Sequence, residues 1–537
     1  MKRILLFLFL ISSFAGFSQE DAWVYFKDKP YSQTYFDKPL TMLTQRALDR
    51  RTNQDIALDL EDVPIYQPYI DQVIASNGIT VKAKSKWMNC IHVRGLQADI
   101  NALKLLSFVD HIDFADHSLN TTKKTSAKPK FNPISKILET LATFNYGSSS
   151  NQIEMLNGTL LHQQNYTGSG KIIAVLDAGF PNVDISQPFQ RLRDNNQILG
   201  GYDYVNKNVN FYTGSSHGTL VLSTMGGFTD GQLVGTAPDA NYYLFITEDT
   251  ASEHPVEESN WVEAAEEADR LGVDIITSSL GYFAYDNPAY SHTYADMTGN
   301  TTFISKGANI AFSKGIIVVA SAGNEGQTSE PHIGVPAEAL NVLAIGAVKA
   351  DKTYAAFSSI GPSFDSRVKP DVMAQGQASV LSDAAGNIGT ANGTSFSCPI
   401  MAGMVACLWQ ALPAKTNQEI KQLITQSADR FTVPTTQYGY GIPDFSLALA
   451  NGLSASAFSK NDFVVYPNPT SDSISITLPK GFDTGTVIIY TILGQKVGEE
   501  KITKQSPIIS MKLLNKGTYL YKIESNGFSK SRKIIKQ

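Results

Sequence analysis

Four side chains have the types that acyl transfer through a serine requires: Ser395 as nucleophile, His217 as base, Asp177 as carboxylate and Asn324 as amide donor. A hydroxyl attacks poorly until a base takes its proton, and that base works best when a carboxylate orients it. The anion that then forms needs donors aimed at it. Taken singly, each residue also has a structural explanation. Asp177 closes an apolar run before Ala178-Gly179, where an aspartate commonly satisfies the amides of a turn. His217 opens Ser216-His217-Gly218-Thr219, ahead of an apolar helical stretch reaching Met225, and a histidine at a helix start is commonly structural. Ser395 sits in Gly393-Thr394-Ser395-Phe396-Ser397-Cys398-Pro399, where it would serve as a helix cap. Pro399 suits the first turn of that helix, and 400–409 is apolar on every side, which predicts a buried helix. Asn324, in Ser321-Ala322-Gly323-Asn324-Glu325-Gly326, reads alone as part of a turn. Read jointly, the four supply every role of one reaction.

The elements that must position them have a distinct texture. Short unbroken apolar runs at 172–176, 242–246, 273–276, 316–320 and 342–345 alternate with longer helical segments. Runs of this kind suit strands covered on both faces, so the pattern predicts an α/β fold with a parallel sheet flanked by helices. Ligands in such folds bind beyond the carboxyl ends of the strands, and Asp177 and Asn324 both lie just past such ends.

The segments Val175-Leu176-Asp177-Ala178-Gly179, His217-Gly218-Thr219 and Gly393-Thr394-Ser395-Phe396-Ser397-Cys398-Pro399 resemble the three signature motifs of the subtilase (S8) serine peptidases, in that family's order of Asp, His and Ser. Gly235-Thr236-Ala237-Pro238-Asp239-Ala240 and Phe357-Ser358-Ser359-Ile360-Gly361-Pro362 are similar to two of its framework motifs. Ser279-Leu280-Gly281 resembles the edge segment along which subtilases align the substrate backbone as an added strand. The resemblance implies an endopeptidase that works through an acyl-enzyme on Ser395. His217 would be its base, Asp177 the orienting group, and Asn324 with the Ser395 amide the oxyanion hole. Three positions depart from the family pattern: Ala178 for Ser or Thr, Leu220 for a second His, and Gln375 where Pro is common. No cofactor is implied; structural calcium is common in the family, but no ligands are assignable from the sequence. The chain order and the lack of a Gly-x-Ser-x-Gly elbow around Ser395 disfavour an α/β-hydrolase esterase, and His217 disfavours the acid-active relatives that carry Glu instead.

The flanks differ from this centre. Lys2 and Arg3 precede a short apolar run at 4–11, which reads as a secretory signal peptide (1–19) cut after Ser18 or Gln19. Residues 20–118 read as a small α+β unit, at the place where subtilases carry a propeptide that acts as inhibitor and chaperone. A polar linker and maturation region (119–145), the catalytic domain (146–452) and a short linker (453–460) follow. Residues 461–537 alternate apolar with Ser and Thr between turn residues and predict a small all-β sandwich. Tyr466-Pro467-Asn468-Pro469-Thr470, Ile489-Tyr490-Thr491-Ile492-Leu493-Gly494-Gln495 and Gly517-Thr518-Tyr519 with its basic end resemble the type IX secretion sorting domain of Bacteroidota. The implied partners are protein or peptide substrates, the chain's own propeptide and the type IX machinery, with a secreted or cell-surface location. A net charge of −6 speaks against a nucleic-acid partner, and no internal stretch is long and apolar enough to span a membrane. Three cysteines, Cys90, Cys398 and Cys407, do not make a disulfide scaffold and read as small buried side chains. A region at 282–307 is expected to include an insertion beside the substrate edge. Two other classes fit the same sequence: a catalytically silent subtilase-fold binding protein, and a surface adhesin acting through its sandwich.

Overall fold

The computed structural model describes residues 19–120 and 144–453 and, near the C-terminus, 464–466, 470, 472–477, 484–491, 495–503, 508–525 and 528–537. The expected signal peptide up to residue 18, most of the maturation linker (121–143) and the second linker from residue 454 lie outside the described residues. The chain divides into two compact units, 1–453 and 454–537.

Seven strands form the central sheet, in the spatial order Val372–Gln375, Leu343–Val348, Ile317–Ser321, Ile275–Ser278, Ile172–Asp177, Asn241–Ile246 and Ile198–Asp203. Every neighbouring pair is parallel. The five apolar runs of the sequence are five of these strands; the other two are the edges. Ile198–Asp203 is a half-exposed glycine-containing edge and Val372–Gln375 has four residues, so neither shows a long apolar run.

Alternate residues of Ile172–Asp177 feed two cores. Ile173 and Val175 join the helices His217–Gly226 and Thr394–Ala411, while Ile172, Ala174 and Leu176 join Val256–Leu271 and Phe303–Ser313. Strand order reverses around Ile172–Asp177: the next strand inward from one edge is its neighbour on one side, and the chain then crosses to the other. A crevice opens at such a switch point, beyond the carboxyl ends of the strands.

The α+β unit is a four-stranded antiparallel sheet, ordered Thr80–Ser85, Cys90–Leu96, Gln19–Phe26, Val109–Phe114. One face packs on its own helices, Gln67–Ile74 and Gln97–Ala102, and the other on the Val256–Leu271 and Phe303–Ser313 helices of the central unit. There the Trp23 indole donates to Ser259 Oγ at 2.8 Å and stacks on Phe303, ring centroids 4.9 Å apart. Glu266 accepts from Ser85 Oγ (2.6 Å), Lys86 N (2.9 Å) and Trp87 N (3.0 Å). Asp269 accepts from Arg51 at 2.8 Å and pairs with Arg50, and Lys314 meets Asp59 at 2.7 Å. The helix Gln45–Asn53 that carries the two arginines has a polar sequence, so its burial is a surprise that only the partner surface explains.

One expectation for the nucleophile helix is corrected. It starts at Thr394, so Pro399 lies in its interior and Ser395 is inside its first turn, with Gly393 as the cap. A proline has no N–H to give the carbonyl four residues back. The carbonyl so released belongs to Ser395, and Ser279 Oγ fills the gap, donating to it at 2.8 Å. All three cysteines are free and buried.

Among its described residues the C-terminal unit has two antiparallel sheets, one of three strands and one of four, closing on Ile474, Ile476, Val487, Ile489, Tyr521 and Ile523 among others. That is the sandwich expected from the alternation.

Candidate active site

Asp177 ends the central strand and is fully buried. Its Oδ1 accepts from the Ala178 amide at 2.8 Å and from His217 Nδ1 at 2.7 Å. With Nδ1 as donor, Nε2 keeps the lone pair and can act as a base. His217 is the first residue of its helix, and the approach of that helix to the strand end depends on Gly218. A Cβ there would lie 2.5 Å from the Gly179 carbonyl oxygen and 2.9 Å from Asp177 Cβ. The Asp177 charge raises the His217 pKa, burial opposes it, and the hydrogen bond and the Glu248 charge add to the rise. The His217 side chain is 31% exposed, so the imidazole is open to solvent.

Ser395 faces the same crevice, but its hydroxyl is turned to the edge segment and donates to the Ser279 carbonyl at 3.3 Å. The edge and the nucleophile thus exchange hydroxyl-to-carbonyl bonds in both directions. His217 and Phe396 rings lie 6.1 Å apart. The structure therefore brings Asp177 and His217 into contact and leaves Ser395 beside them in a rotamer bonded elsewhere.

Asn324 is held by its carboxamide oxygen, which accepts from Thr394 N at 2.9 Å and Thr394 Oγ1 at 3.1 Å. Thr394 Oγ1 in turn accepts from Gly323 N at 3.2 Å. The amide nitrogen is the end left for the cleft that Asn324 and Ser395 both line, beside the first-turn amides of the nucleophile helix. Thr394 is a positioning residue that motif reading passed over, although it stands inside Gly393-Thr394-Ser395.

The cleft has a volume of about 150 Å³ between Ser279, Gly281, Tyr282 and Phe283 on one side and Ser321 to Glu325 on the other, with His332, Gly334 and Val335 at its end. Ser279 and Gly281 of the expected edge line it. The Leu280 side chain instead packs against the core on the propeptide-facing side of the sheet. Tyr282 and Val335 bond each other through their backbones, closing the far end. Glu325 stands next to Asn324 in the quoted turn but was not singled out, and no local pattern announced His332 or Val335.

The three departures have local accounts. Ala178 brings no hydroxyl, and Asp177 Oδ2 is buried without a hydrogen-bond partner. Leu220 packs at the rim of the core beneath its helix. Gln375 is buried and bonded to Asn151 Nδ2 (2.7 Å) and the Ala378 carbonyl (3.1 Å), away from the triad.

Among the described residues, Glu248, Glu253 and Glu257 bring carboxylate oxygens within 4.8 Å of one another, the one cluster with the spacing of a cation site. Its donors are engaged otherwise: Glu257 accepts from the Asp249 and His254 amides and Glu248 from the Tyr282 hydroxyl.

Comparisons with known proteins agree in three places. A model described as the subtilase family matches residues 168–442. The Bacteroidota peptidase S8 propeptide domain matches 21–131, and the secretion system C-terminal sorting domain matches 464–537. Subtilisin NAT of Bacillus subtilis subsp. natto is 32% identical over 294 residues, 54% of this chain and 68% of that protein. The subtilisin of Bacillus pumilus is also 32% identical over 294 residues, 54% of this chain and 94% of that protein. Serine protease AprX of Bacillus subtilis (strain 168) is 29% identical over 299 residues, 50% of this chain and 63% of that one. Among the described residues no helix is long and apolar enough to cross a membrane.

Proposed function

The chain belongs to the subtilase family and is a serine endopeptidase, secreted or held at the cell surface through a type IX sorting domain, and we propose that Asp177, His217 and Ser395 perform its catalysis. The observation that carries the assignment is the 2.7 Å bond from His217 Nδ1 to a fully buried carboxylate, beside a serine in the first turn of a buried helix.

Ser395 Oγ leaves the Ser279 carbonyl and attacks the peptide carbonyl while His217 Nε2 takes its proton. The C–N bond breaks as that proton passes to the leaving amine, and water repeats the sequence on the acyl-enzyme. Asp177 holds the tautomer and stabilises the imidazolium. Asn324 Nδ2 and the Ser395 amide bind the oxyanion, with Thr394 fixing the carboxamide. Ser279, Leu280 and Gly281 accept the substrate backbone as an added strand. Each of these roles is filled by a group of the chain itself, so the proposed steps call on no cofactor. The N-terminal unit acts as inhibitor and folding aid until it is cut away within the 119–145 segment, and the C-terminal sandwich is read by the type IX machinery. Nucleic acid is not a partner.

A fluorophosphonate probe tests the assignment. The mature protein is expected to gain one covalent adduct on Ser395, and Ser395→Ala to lose both adduct and peptide hydrolysis, the rate falling by about 10⁴-fold or more. Labelling of the Ser395→Ala chain, or a fully active one, would remove Ser395 from the role.

A further inference from the structure

Beyond the 279–281 edge the chain runs through 282–302 before the helix Phe303–Ser313 begins. This segment meets the cleft twice. Tyr282 and Phe283 line one wall directly, and the Tyr294 ring stacks on His332 at the cleft end, ring centroids 4.0 Å apart. Tyr294 is tied down by its hydroxyl, which donates to the Pro362 carbonyl at 2.8 Å. The outgoing and returning limbs of the segment are joined by the His292 amide, which donates to the Phe283 carbonyl at 2.8 Å.

One carboxylate outside the cleft fastens both limbs. Glu258, in the first turn of the helix Val256–Leu271, is 1% exposed. Its Oε1 accepts from the Tyr285 hydroxyl and from His292 Nε2, each at 2.7 Å, and its Oε2 accepts from the Ile304 amide at 3.0 Å. These donors belong to the outgoing limb, the returning limb and the start of the next helix. Tyr285 and His292 are themselves buried, so losing the acceptor would leave their polar atoms unpaired away from water. A second tie reaches the N-terminal unit, where the Tyr290 hydroxyl donates to Glu20 at 2.9 Å. That tie departs with the unit on maturation, whereas the three bonds to Glu258 stay.

We propose that the 282–302 segment is a specificity-setting wall of the cleft and that Glu258 is the positioning residue that holds it there. The inference rests on reading Ser395 as the nucleophile. A peptide laid along 279–281 with its carbonyl between Ser395 and Asn324 sends the side chain of the residue before the scissile bond into the space bounded by Phe283 and His332. A large side chain there touches the wall and a methyl group does not. Asp177, His217, Ser395 and Asn324 stand on other elements, so a loosened wall costs grip on the large side chain and leaves the reacting groups in place.

The test uses two peptide substrates that differ only in the residue before the scissile bond, Phe in one and Ala in the other. Both are cleaved by mature enzyme whose active sites are counted with the fluorophosphonate. Glu258→Gln keeps the size of the side chain but accepts at one atom instead of two. KM for the Phe peptide is expected to rise about fivefold, with kcat per counted site changed by less than about twofold and the Ala peptide unmoved. Tyr285→Phe removes one donor with little change of shape, and should shift the Phe peptide the same way by less even if Glu258→Gln does not mature. Tyr290→Phe should leave the mature enzyme's preference as it was. An unchanged Phe-to-Ala ratio in both Glu258→Gln and Tyr285→Phe, or an equal loss on the two peptides, overturns the proposal. Either result obtained with Ser395 fully labelled removes the wall and leaves the nucleophile standing; absence of the adduct in the wild type removes the nucleophile reading itself.

Discussion

The N-terminal α+β unit buries charge against the parallel-sheet unit, whereas the C-terminal sandwich closes on apolar side chains of its own. At the first interface Arg50, Arg51 and Asp269 are 6%, 1% and 0% exposed, and Glu266 collects three donors from one turn. In the sandwich, Thr470 is the one buried polar side chain among the described residues. Paired buried charges add little net stability because desolvation offsets their attraction, yet losing one partner is costly. An apolar core responds in proportion to the volume removed. The first attachment can thus be undone by a change at one residue, while the sandwich core answers to the volume it loses.

The contrast can be broken from either side, most conveniently in a Ser395→Ala chain that cannot cut itself. Asp269→Ala leaves two buried arginines without their shared carboxylate and should weaken docking of the N-terminal unit by about 3–5 kcal/mol. Hydrogen exchange would report this as lost protection in 19–120 with none lost in 464–537; equal loss in both breaks the distinction. Ile489→Ala empties the sandwich core and should cost that unit about 3 kcal/mol by chemical denaturation. In the active chain the same substitution should leave peptide hydrolysis unchanged.

Acidity sharpens the comparison further. Burial raises the Glu266 pKa to about 7, against four favourable contacts led by the Lys86 charge. An acid held protonated in the docked state stabilises docking fully below its free value near 4.5, and that advantage is lost as pH rises toward 7. Docking should weaken by about 3 kcal/mol across that interval, and Glu266→Gln should flatten the slope. The smallest effect belongs to the rim of the interface. Arg46 meets Asp274 at 2.6 Å but is 42% exposed, so Arg46→Ala should cost less than about 1 kcal/mol by thermal melting. A larger loss would mean that rim and centre are not energetically different.

Much of this was legible in the chain. The five inner strands declared themselves because strands covered on both faces must be apolar throughout, and the order of Asp177, His217 and Ser395 carried the reaction class. What stayed hidden was non-local. The Gln45–Asn53 helix carries buried arginines whose partner, Asp269, lies more than two hundred residues on, so its polar sequence resembled a solvated segment. Pro399 was misplaced because a proline usually opens a helix; here the carbonyl it leaves without an amide donor has found another in Ser279. Tyr282 and Glu248 meet through a bond that no motif or periodicity encodes.

That proline has a consequence for timing. The carbonyl of Ser279 accepts the resting hydroxyl of Ser395, while the hydroxyl of Ser279 is committed to the carbonyl that Pro399 releases. A peptide joining the 279–281 edge would bring its own N–H groups to edge carbonyls. On the proposed mechanism, the Ser395 hydroxyl leaves the Ser279 carbonyl for the imidazole once such a strand is seated. On that reading the empty cleft rests with its serine bonded to the edge, and the seated strand is what arms it.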